Sequence, residues 1–422
     1  MGKATSRPGN CARVNMGGKA FRVAYFTVRA PFGRGEAFVL NEMVELLGRR
    51  DVDLLIVPLR PDTSKCPSGT SQELEDKVLV LPLVDWTILK GFLRHVMRDP
   101  FEVLKLIVKV LYHSRPAILL KNLVLVPKGV WVAQQLQEMG VDHIHAHWAS
   151  TPSTCAYMAA QLSAIPWSFT AHSWDIPENN MLKEKVRTAT FVRSISEGGK
   201  EEIGQIVGKE LQNRVCVIHM GVKMQNRLKV THAPDCSIIV CVANFVDVKG
   251  HKYLLEACDI LRSRSIKFKC VLVGDGPTRE AMQAKATNLN LNELVQFRGF
   301  LPHEQIEALL QQRPDIAVLP SIVTDKRQKE GIPVTLMEAM AYGIPVVSTD
   351  TGGIPELLSD GAGLMVRHKD PAQLADAVER LLKDSQLARV IGDGGHQKVY
   401  EEFNLTSNVQ RLLQMMKRAK NH

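Results

Sequence analysis

The eight cysteines, scattered from Cys11 to Cys270, form no Cys-x-x-Cys pair. Neither a metal knuckle nor a dithiol centre is written into that spacing, and a reducing cytoplasm is the expected setting. Long hydrophobic runs are missing as well. No wholly apolar stretch reaches the roughly 20 residues that a membrane-crossing helix needs, and the small, basic opening from Met1 to Lys19 lacks the apolar core of a signal peptide. Neither a membrane span nor export is expected. Negative charge is in short supply: 44 acidic against 53 basic residues leave a formal charge of +9. Such a surface attracts phosphate in nucleic acid, anionic lipid or a small molecule without choosing among them, and no nucleic-acid motif accompanies the charge. The glycine fingerprint of nicotinamide dehydrogenases is also incomplete, because Gly33-x-Gly35 and Gly274-x-Gly276 run on to Phe38 and Arg279 where a third glycine is due.

What is present is a 422-residue chain, 45% hydrophobic, long enough for two cores. Apolar β-rich runs at Phe21–Val28 and Asp53–Val57 bracket a loop and a helical pattern from Phe38 to Leu47. The same alternation returns at Ile144, Trp167–Thr170, Phe191–Ile195 and Val215–Ile218. A polar stretch from Met224 to Cys236 reads as a linker. A second series follows at Ser237–Val242, Cys270–Val273, Leu294–Phe297, Ile316–Leu319 and Pro345–Ser348. The expected organisation is a flexible basic arm (1–20), an α/β domain (21–223), the linker (224–236), a second α/β domain (237–400) and a terminal helix (401–422) packing back on the first domain. Each doubly wound sheet offers ligand loops at the carboxyl ends of its strands, so the cleft is expected between the two.

The stretch Leu79–Gln137 departs from this alternation. Apolar clusters there are spaced by Lys90, Arg94, Arg98, Lys105, Lys109, Arg115, Lys121 and Lys128. Two readings stay open: helices packed on the sheet with solvated lysines, or a basic amphipathic surface that grips an anionic membrane.

The densest chemistry lies in Glu330-Gly-Ile-Pro-Val-Thr-Leu-Met-Glu338. Pro333 suits the first position of a short helix and Gly343 its end. A helix start just after a strand offers free amides and a positive dipole end to a pyrophosphate, with a carboxylate on either side for hydroxyls. The competing reading makes Thr335 and Glu338 a capping box and Glu330 a solvated loop acid. The next turn, Ser348-Thr-Asp-Thr-Gly-Gly-Ile-Pro-Glu356, repeats the strand, glycine turn and proline-led helix start. The alternating His143, His145 and His147 invite a metal reading, but no ligand set of metal spacing completes them in sequence, and no metal is expected.

These residues resemble the retaining family 4 glycosyltransferases, marked by Glu-x7-Glu and then Gly-x-Pro-Val-Val-x-Thr-x-x-Gly-Gly-x-x-Glu. Lys249-Gly250, Val273-Gly-Asp-Gly-Pro277, Phe297-Arg298-Gly299 and Gly361-Ala-Gly-Leu-Met-Val366 extend the likeness. Gly35-Glu-Ala-Phe38, Asn41-Glu42, His145-Ala-His147, Thr170-Ala-His172 with Asp175, and Ser194-Ile-Ser-Glu197 are similar to the exopolysaccharide and colanic-acid branch. The resemblance implies an α/β GT-B fold, two Rossmann-like domains facing each other across a cleft. It implies a sugar moved from a UDP- or GDP-sugar to a lipid-linked or other glycan acceptor with retention, without cofactor or metal. By position, Glu330 meets the transferred sugar with the amides of Gly331 and Ile332, Val334 and Thr335 lie by the diphosphate, and Glu338 holds the ribose. Lys249 contacts phosphate, Arg298 joins the donor site, His172 faces the donor sugar, and Gly33 and Gly35 form the loop where acceptor and diphosphate approach. Asn244 departs from the pattern, standing where the family places an arginine five residues before the lysine. Cytoplasmic placement, peripheral on the inner face of the plasma membrane, completes the expectation. A sugar-nucleotide epimerase, a phosphorylase and a non-catalytic sugar-nucleotide-binding subunit are the rivals left open.

Overall fold

The computed structural model describes residues 20–31, 36–61, 72–80, 82–83, 85–226 and 236–420. Gly33, Gly35, the 1–19 arm and most of the linker lie outside the described residues. Among the described residues, twelve strands form two parallel sheets. The first holds β1 (Phe21–Thr27), β2 (Val52–Pro58), β3 (His143–His147), β4 (Trp167–Ala171), β5 (Phe191–Ser194) and β6 (Val215–Val217) in the order β2-β1-β3-β4-β5-β6. The second holds β7 (Ser237–Val242), β8 (Phe268–Val273), β9 (Val295–Gly299), β10 (Ile316–Leu319), β11 (Val346–Thr349) and β12 (Leu364–Val366) in the order β12-β11-β10-β7-β8-β9. The expected pair of doubly wound domains is thus present.

Near-continuous apolar strands such as Ser237-Ile-Ile-Val-Cys-Val242 suit this arrangement, because a parallel sheet covered by helices buries both faces. In the first sheet the Thr151–Ser163 helix and its neighbours cover one face. The Ala37–Leu47 and Leu405–Lys420 helices cover the other through Val39, Met43, Val409, Leu412 and Met416. The chain therefore leaves the second domain after the Ser385–Glu402 helix and ends against the first. A bridge from Val222 to Asn404 marks the crossing, and Lys417 and Lys420 pair with Asp51 and Asp142 at 2.7 and 2.8 Å.

Each sheet has one point where the strand order reverses, between β1 and β3 in the first and between β7 and β10 in the second. Ligands bind at such points, beyond the carboxyl ends of the strands.

The Leu79–Gln137 stretch is helical, with helices at Trp86–Arg98, Pro100–His113 and Pro116–Glu138. By length and composition the last could cross a membrane, which no apolar run in the sequence announced, but half of its apolar window is buried in the protein. Lys128 departs from the picture of solvated lysines: it is buried on that helix and donates to the carbonyls of Pro58 and Leu59 at 3.1 and 3.2 Å.

Candidate active site

The second-domain wall of the cleft is built on β7 and β10. After β7 the chain makes a 3-10 turn, Asp247–Lys249, and enters the His251–Ser263 helix through Gly250. Gly250 has φ +68° and lies so close to the carbonyl of Pro320 that a Cβ would collide with it. That contact seats Lys249 beside the loop after β10. Lys249 Nζ meets the carboxylate of Glu330 at 2.5 Å, and Ser321 Oγ donates to the same oxygen at 3.1 Å. The side chains of Lys249 and Glu330 are 21% and 13% exposed, so both reach the cleft. The Glu330 carbonyl packs against Gly352, whose φ of +57° and missing Cβ permit the approach, and accepts from the Gly353 amide at 3.3 Å. The two successive strand-turn-helix units of the sequence are therefore fastened together at Glu330.

The helix beyond Glu330 spans Val334–Ala341, one residue shorter at each end than expected from the sequence. Pro333 has extended backbone (φ −77°, ψ 115°) and is the cap rather than the first helical residue, and no side chain caps it. The capping-box reading of Thr335 and Glu338 is thereby excluded. The first amides of the helix, those of Val334 and Thr335, have no acceptor within it. Ile332 and Val334 pack their side chains on the second core, which leaves the backbone as the polar surface they offer. Glu338 lies one turn further on, mostly buried, 3.9 Å from His303 Nδ1. Burial pushes its carboxyl up to about 7 against the pull of His303.

Asn244 is exposed after the end of β7, and its side chain makes no hydrogen bond among the described residues. Arg298 is exposed on β9, 3.3 Å from Gln296 Oε1. Among the described residues, neither forms a hydrogen bond or ion pair with Lys249 or Glu330.

The first-domain wall is a buried chain of polar groups. His172 follows β4 and is 5% exposed, packed against Trp148 and Phe38 at ring distances of 4.3 and 5.1 Å. Its Nε2 lies 3.0 Å from His147 Nδ1, and His147 Nε2 lies 3.1 Å from Glu42 Oε1. Glu42 also accepts from Tyr25 Oη at 3.0 Å and from Arg193 at 2.7 Å. Although burial opposes ionisation, Arg193 and then His147 hold the Glu42 carboxyl well below its usual range. Burial, with His147 next, keeps His172 well below the usual histidine value and hence neutral. Proton positions follow from the network. With His147 neutral, an ionised Glu42 takes its Nε2–H and its Nδ1 takes the Nε2–H of His172; with His147 protonated, its Nδ1–H goes to His172 Nε2 instead. The Nδ1 of His172 bonds nothing among the described residues, and in the neutral-His147 arrangement it is an acceptor open to a hydroxyl.

Asp175 braces the same turn, accepting from the His172 amide at 2.8 Å and the Ala149 amide at 2.5 Å, and burial pushes it up to about 6. Glu36 accepts from Trp148 Nε1 at 2.6 Å and from the Arg29 and Ala30 amides at 2.7 Å.

The structure brings to the histidine run a carboxylate that lies far from it in sequence. Glu42, from the Ala37–Leu47 helix, joins His145 and His147 with ligand atoms all within 4.8 Å. The group does not fit a cation. The His145 nitrogens are engaged by Ser168 and Thr170 at 2.8 and 2.9 Å, and the Arg193 guanidinium already occupies the charge position beside Glu42. Sequence reasoning gave no role to Arg193, although a lone charge inside the apolar strand Phe191–Ser194 is the signal that could have found it.

The walls meet at Glu356, which accepts the Glu197 amide at 3.0 Å and pairs with His219 Nε2 at 2.7 Å, and at Lys329 with Glu202, 3.7 Å apart. No hydrogen bond or ion pair among the described residues joins His172 to Lys249 or Glu330.

Residues 223–398 match the model of the family described as glycosyl transferases group 1. A putative colanic acid biosynthesis glycosyltransferase, WcaL of Escherichia coli K12, is 34% identical over 46% of this chain and 48% of its own length. The chain thus spans about half the length of that relative. N-acetyl-alpha-D-glucosaminyl L-malate synthase of Bacillus anthracis is 29% identical over 64% of this chain and 73% of its own. The solved structure of Anabaena HepE in complex with UDP covers 94% of the chain and 100% of its own at a TM-score of 0.68 and 17% identity. Sucrose-phosphate synthase from Thermosynechococcus elongatus gives 0.65 and 18% over 94% and 98%. At such identities the likeness shows the fold, which is GT-B.

Proposed function

We propose that this chain is a glycosyltransferase that moves a hexose or similar sugar from a UDP- or GDP-sugar to a glycan acceptor, lipid-linked, in envelope or exopolysaccharide assembly. The observation that carries the reading is the pairing of Lys249 with Glu330 at the β7–β10 switch point, beside the open amides of the Val334–Ala341 helix. The HepE structures with UDP and UDP-glucose support a uridine donor for that neighbour and, by fold, a nucleotide sugar here. The relatives' names support a polysaccharide product.

In the proposed step the bond from the anomeric carbon to the β-phosphate oxygen breaks, and the oxygen keeps the electron pair. The acceptor oxygen bonds to the same face of the anomeric carbon and its proton passes to the leaving phosphate. Lys249 and the helix amides stabilise the charge that gathers on the diphosphate, where fixed donors act most strongly. Glu330, with the amides of Gly331 and Ile332, holds sugar hydroxyls, Glu338 the ribose, and the bare Nδ1 of His172 a hydroxyl from the opposite wall. No metal is assigned a part. The test is a thermal-shift screen of UDP- and GDP-sugars, followed by nucleoside-diphosphate release with and without acceptor and by NMR of the product anomer. Stabilisation by one donor, acceptor-dependent release and a retained linkage are expected. Absence of any stabilising donor would sink the reading, release without acceptor would turn it toward hydrolysis, and an inverted anomer would remove retention.

A further inference from the structure

The Trp86–Arg98 and Pro100–His113 helices, joined through Asp99 alone, each carry two apolar faces. The inner faces, with Ile88 and Gly91 on one helix and Val103, Leu106 and Val110 on the other, are buried where both helices pack on the Pro116–Glu138 helix. The outer faces are apolar as well. Trp86, Leu89, Leu93 and Met97 step along the first helix at intervals of three and four, and Phe101, Leu104, Val108 and Leu111 do the same on the second, with Tyr112 four residues beyond Val108. All nine are exposed, Met97 by 77%, Phe101 by 82% and Tyr112 by 83%. Single exposed apolar residues are ordinary on a soluble protein, but two contiguous stripes on adjacent helices are not.

The charge beside the stripes selects the occupant. Lys90, Arg94 and Arg98 follow one another at four-residue spacing along one edge of the first stripe, and Lys105 lies among the second. Asp99 and Glu102 are the only acids in these two helices and their junction. A convex apolar surface edged with cations and tipped with aromatics matches an anionic bilayer, where apolar side chains sink below the headgroups and lysines and arginines remain among them. The surface is also tied to the cleft. Arg115, between the second and third helices, donates to the Glu178 carbonyl at 3.4 Å, and Lys121 pairs with the Glu178 carboxylate at 2.9 Å. Glu178 belongs to the loop that starts at His172 and carries Trp174, itself 68% exposed.

We propose that the outer faces of these two helices insert into an anionic membrane leaflet, so that the protein is seated by apolar burial rather than by charge alone, with the His172 wall of the cleft next to the lipid. The seating stands on its own observations; its use, presenting a lipid-linked acceptor to the cleft, rests on the transfer reading above.

The experiment is co-flotation of the full chain with phosphatidylcholine vesicles, with and without phosphatidylglycerol, at low and high salt. Two variants accompany it, Met97→Gln/Phe101→Gln/Leu104→Gln and Lys90→Gln/Arg94→Gln. Because every substituted side chain is exposed, folding is checked by the melting temperature and by the shift that the nucleotide sugar causes in each. Expected are flotation with phosphatidylglycerol vesicles that persists at high salt, a loss on the order of a hundredfold in the apolar variant, and a smaller loss in the charge variant. Complete release of the wild-type protein by salt, or an apolar variant that floats as well as wild type, would overturn insertion. A wild-type chain that ignores vesicles but dimerises through the same residues would assign the face to a second copy instead. An intact nucleotide-sugar shift in a variant that no longer floats separates failure of the seating from failure of the transfer reading.

Discussion

The two walls of the cleft use the same chemical vocabulary, a cation against a glutamate, in opposite ways. Arg193 and Glu42 are 1% and 2% exposed and part of a closed chain of donors and acceptors that ends at His172. Lys249 and Glu330 are 21% and 13% exposed, and among the described residues the lysine uses one of its three hydrogens. The first wall satisfies its own charge, and the second leaves charge available to a ligand. Burial sets the difference: an ion pair away from water must be fully satisfied, whereas a partly wet one can exchange partners.

The largest test of that contrast is Arg193→Met. It strands the Glu42 carboxylate in the core, which costs about 3–5 kcal/mol. Urea unfolding should show that loss, and a change under about 1 kcal/mol would erase the distinction between the walls. Lys249→Met should do the reverse. Stability should stay within about 1 kcal/mol, since the pair is partly solvated. Affinity for the nucleotide sugar, measured by calorimetry, should fall by about 10- to 150-fold, the equivalent of a charge-assisted phosphate bond of roughly 1.5–3 kcal/mol. A variant that binds donor normally would place the diphosphate elsewhere.

Glu338 sharpens the comparison through pH. Its carboxyl is raised from 4.5 to about 7 by burial, against His303. A raised carboxyl binds its proton more tightly in the folded state, so its contribution to stability is complete below about 4.5 and is lost as pH rises through about 7. The melting temperature of the ligand-free protein should therefore carry a downward component between about pH 4.5 and 7 that Glu338→Gln removes. Ribose hydroxyls donate to the ionised form, so donor affinity should rise over the same window by about tenfold, near 1.4 kcal/mol. A pH-independent affinity would take Glu338 out of ribose binding.

How much of this was legible in the sequence depended on the range of the interaction. Ser237–Val242 and Ile316–Leu319 coincide with β7 and β10, because a strand buried on both faces declares itself as an unbroken apolar run. β12 is three residues long, behind a glycine turn, and was not read as a strand. Lys249 and Glu330 were named from a motif, and their distance of 2.5 Å spans 81 positions that the motif orders but does not measure. Glu42, His147 and Arg193 were the harder case. They lie on a helix and two strands, up to 151 positions apart, and only the crossing of β1, β3, β4 and β5 under one helix brings them into contact. The metal question turned on the same fact, since the nearest carboxylate to His147 in space is 105 residues away in sequence. Lys128 looked like its solvated neighbours because the Pro58 and Leu59 carbonyls that it meets are backbone groups, which no side-chain pattern records.

The smallest expected effect probes the open wall at its weakest point. Asn244 follows β7 in a loop whose backbone is held by Ala243 N–H to the Val273 carbonyl and Phe245 N–H to the Asp275 carbonyl, both at 2.9 Å. The Asn244 side chain is exposed, so Asn244→Arg should change stability by no more than about 0.5 kcal/mol. An arginine there would replace one neutral hydrogen bond by a charge-assisted, bidentate one, and would also stand near the charge of Lys249. Attraction to a doubly charged diphosphate exceeds repulsion by a partly solvated lysine already paired with Glu330. The net gain should be about fivefold in donor affinity, with a steeper fall as salt is added. Adding Lys249→Met to the variant should recover part of the loss that Lys249→Met causes alone, because two cations at one phosphate substitute for each other. If the double variant is as weak as Lys249→Met, positions 244 and 249 do not face the same anion, and the diphosphate lies on the Lys249 side of the switch point alone.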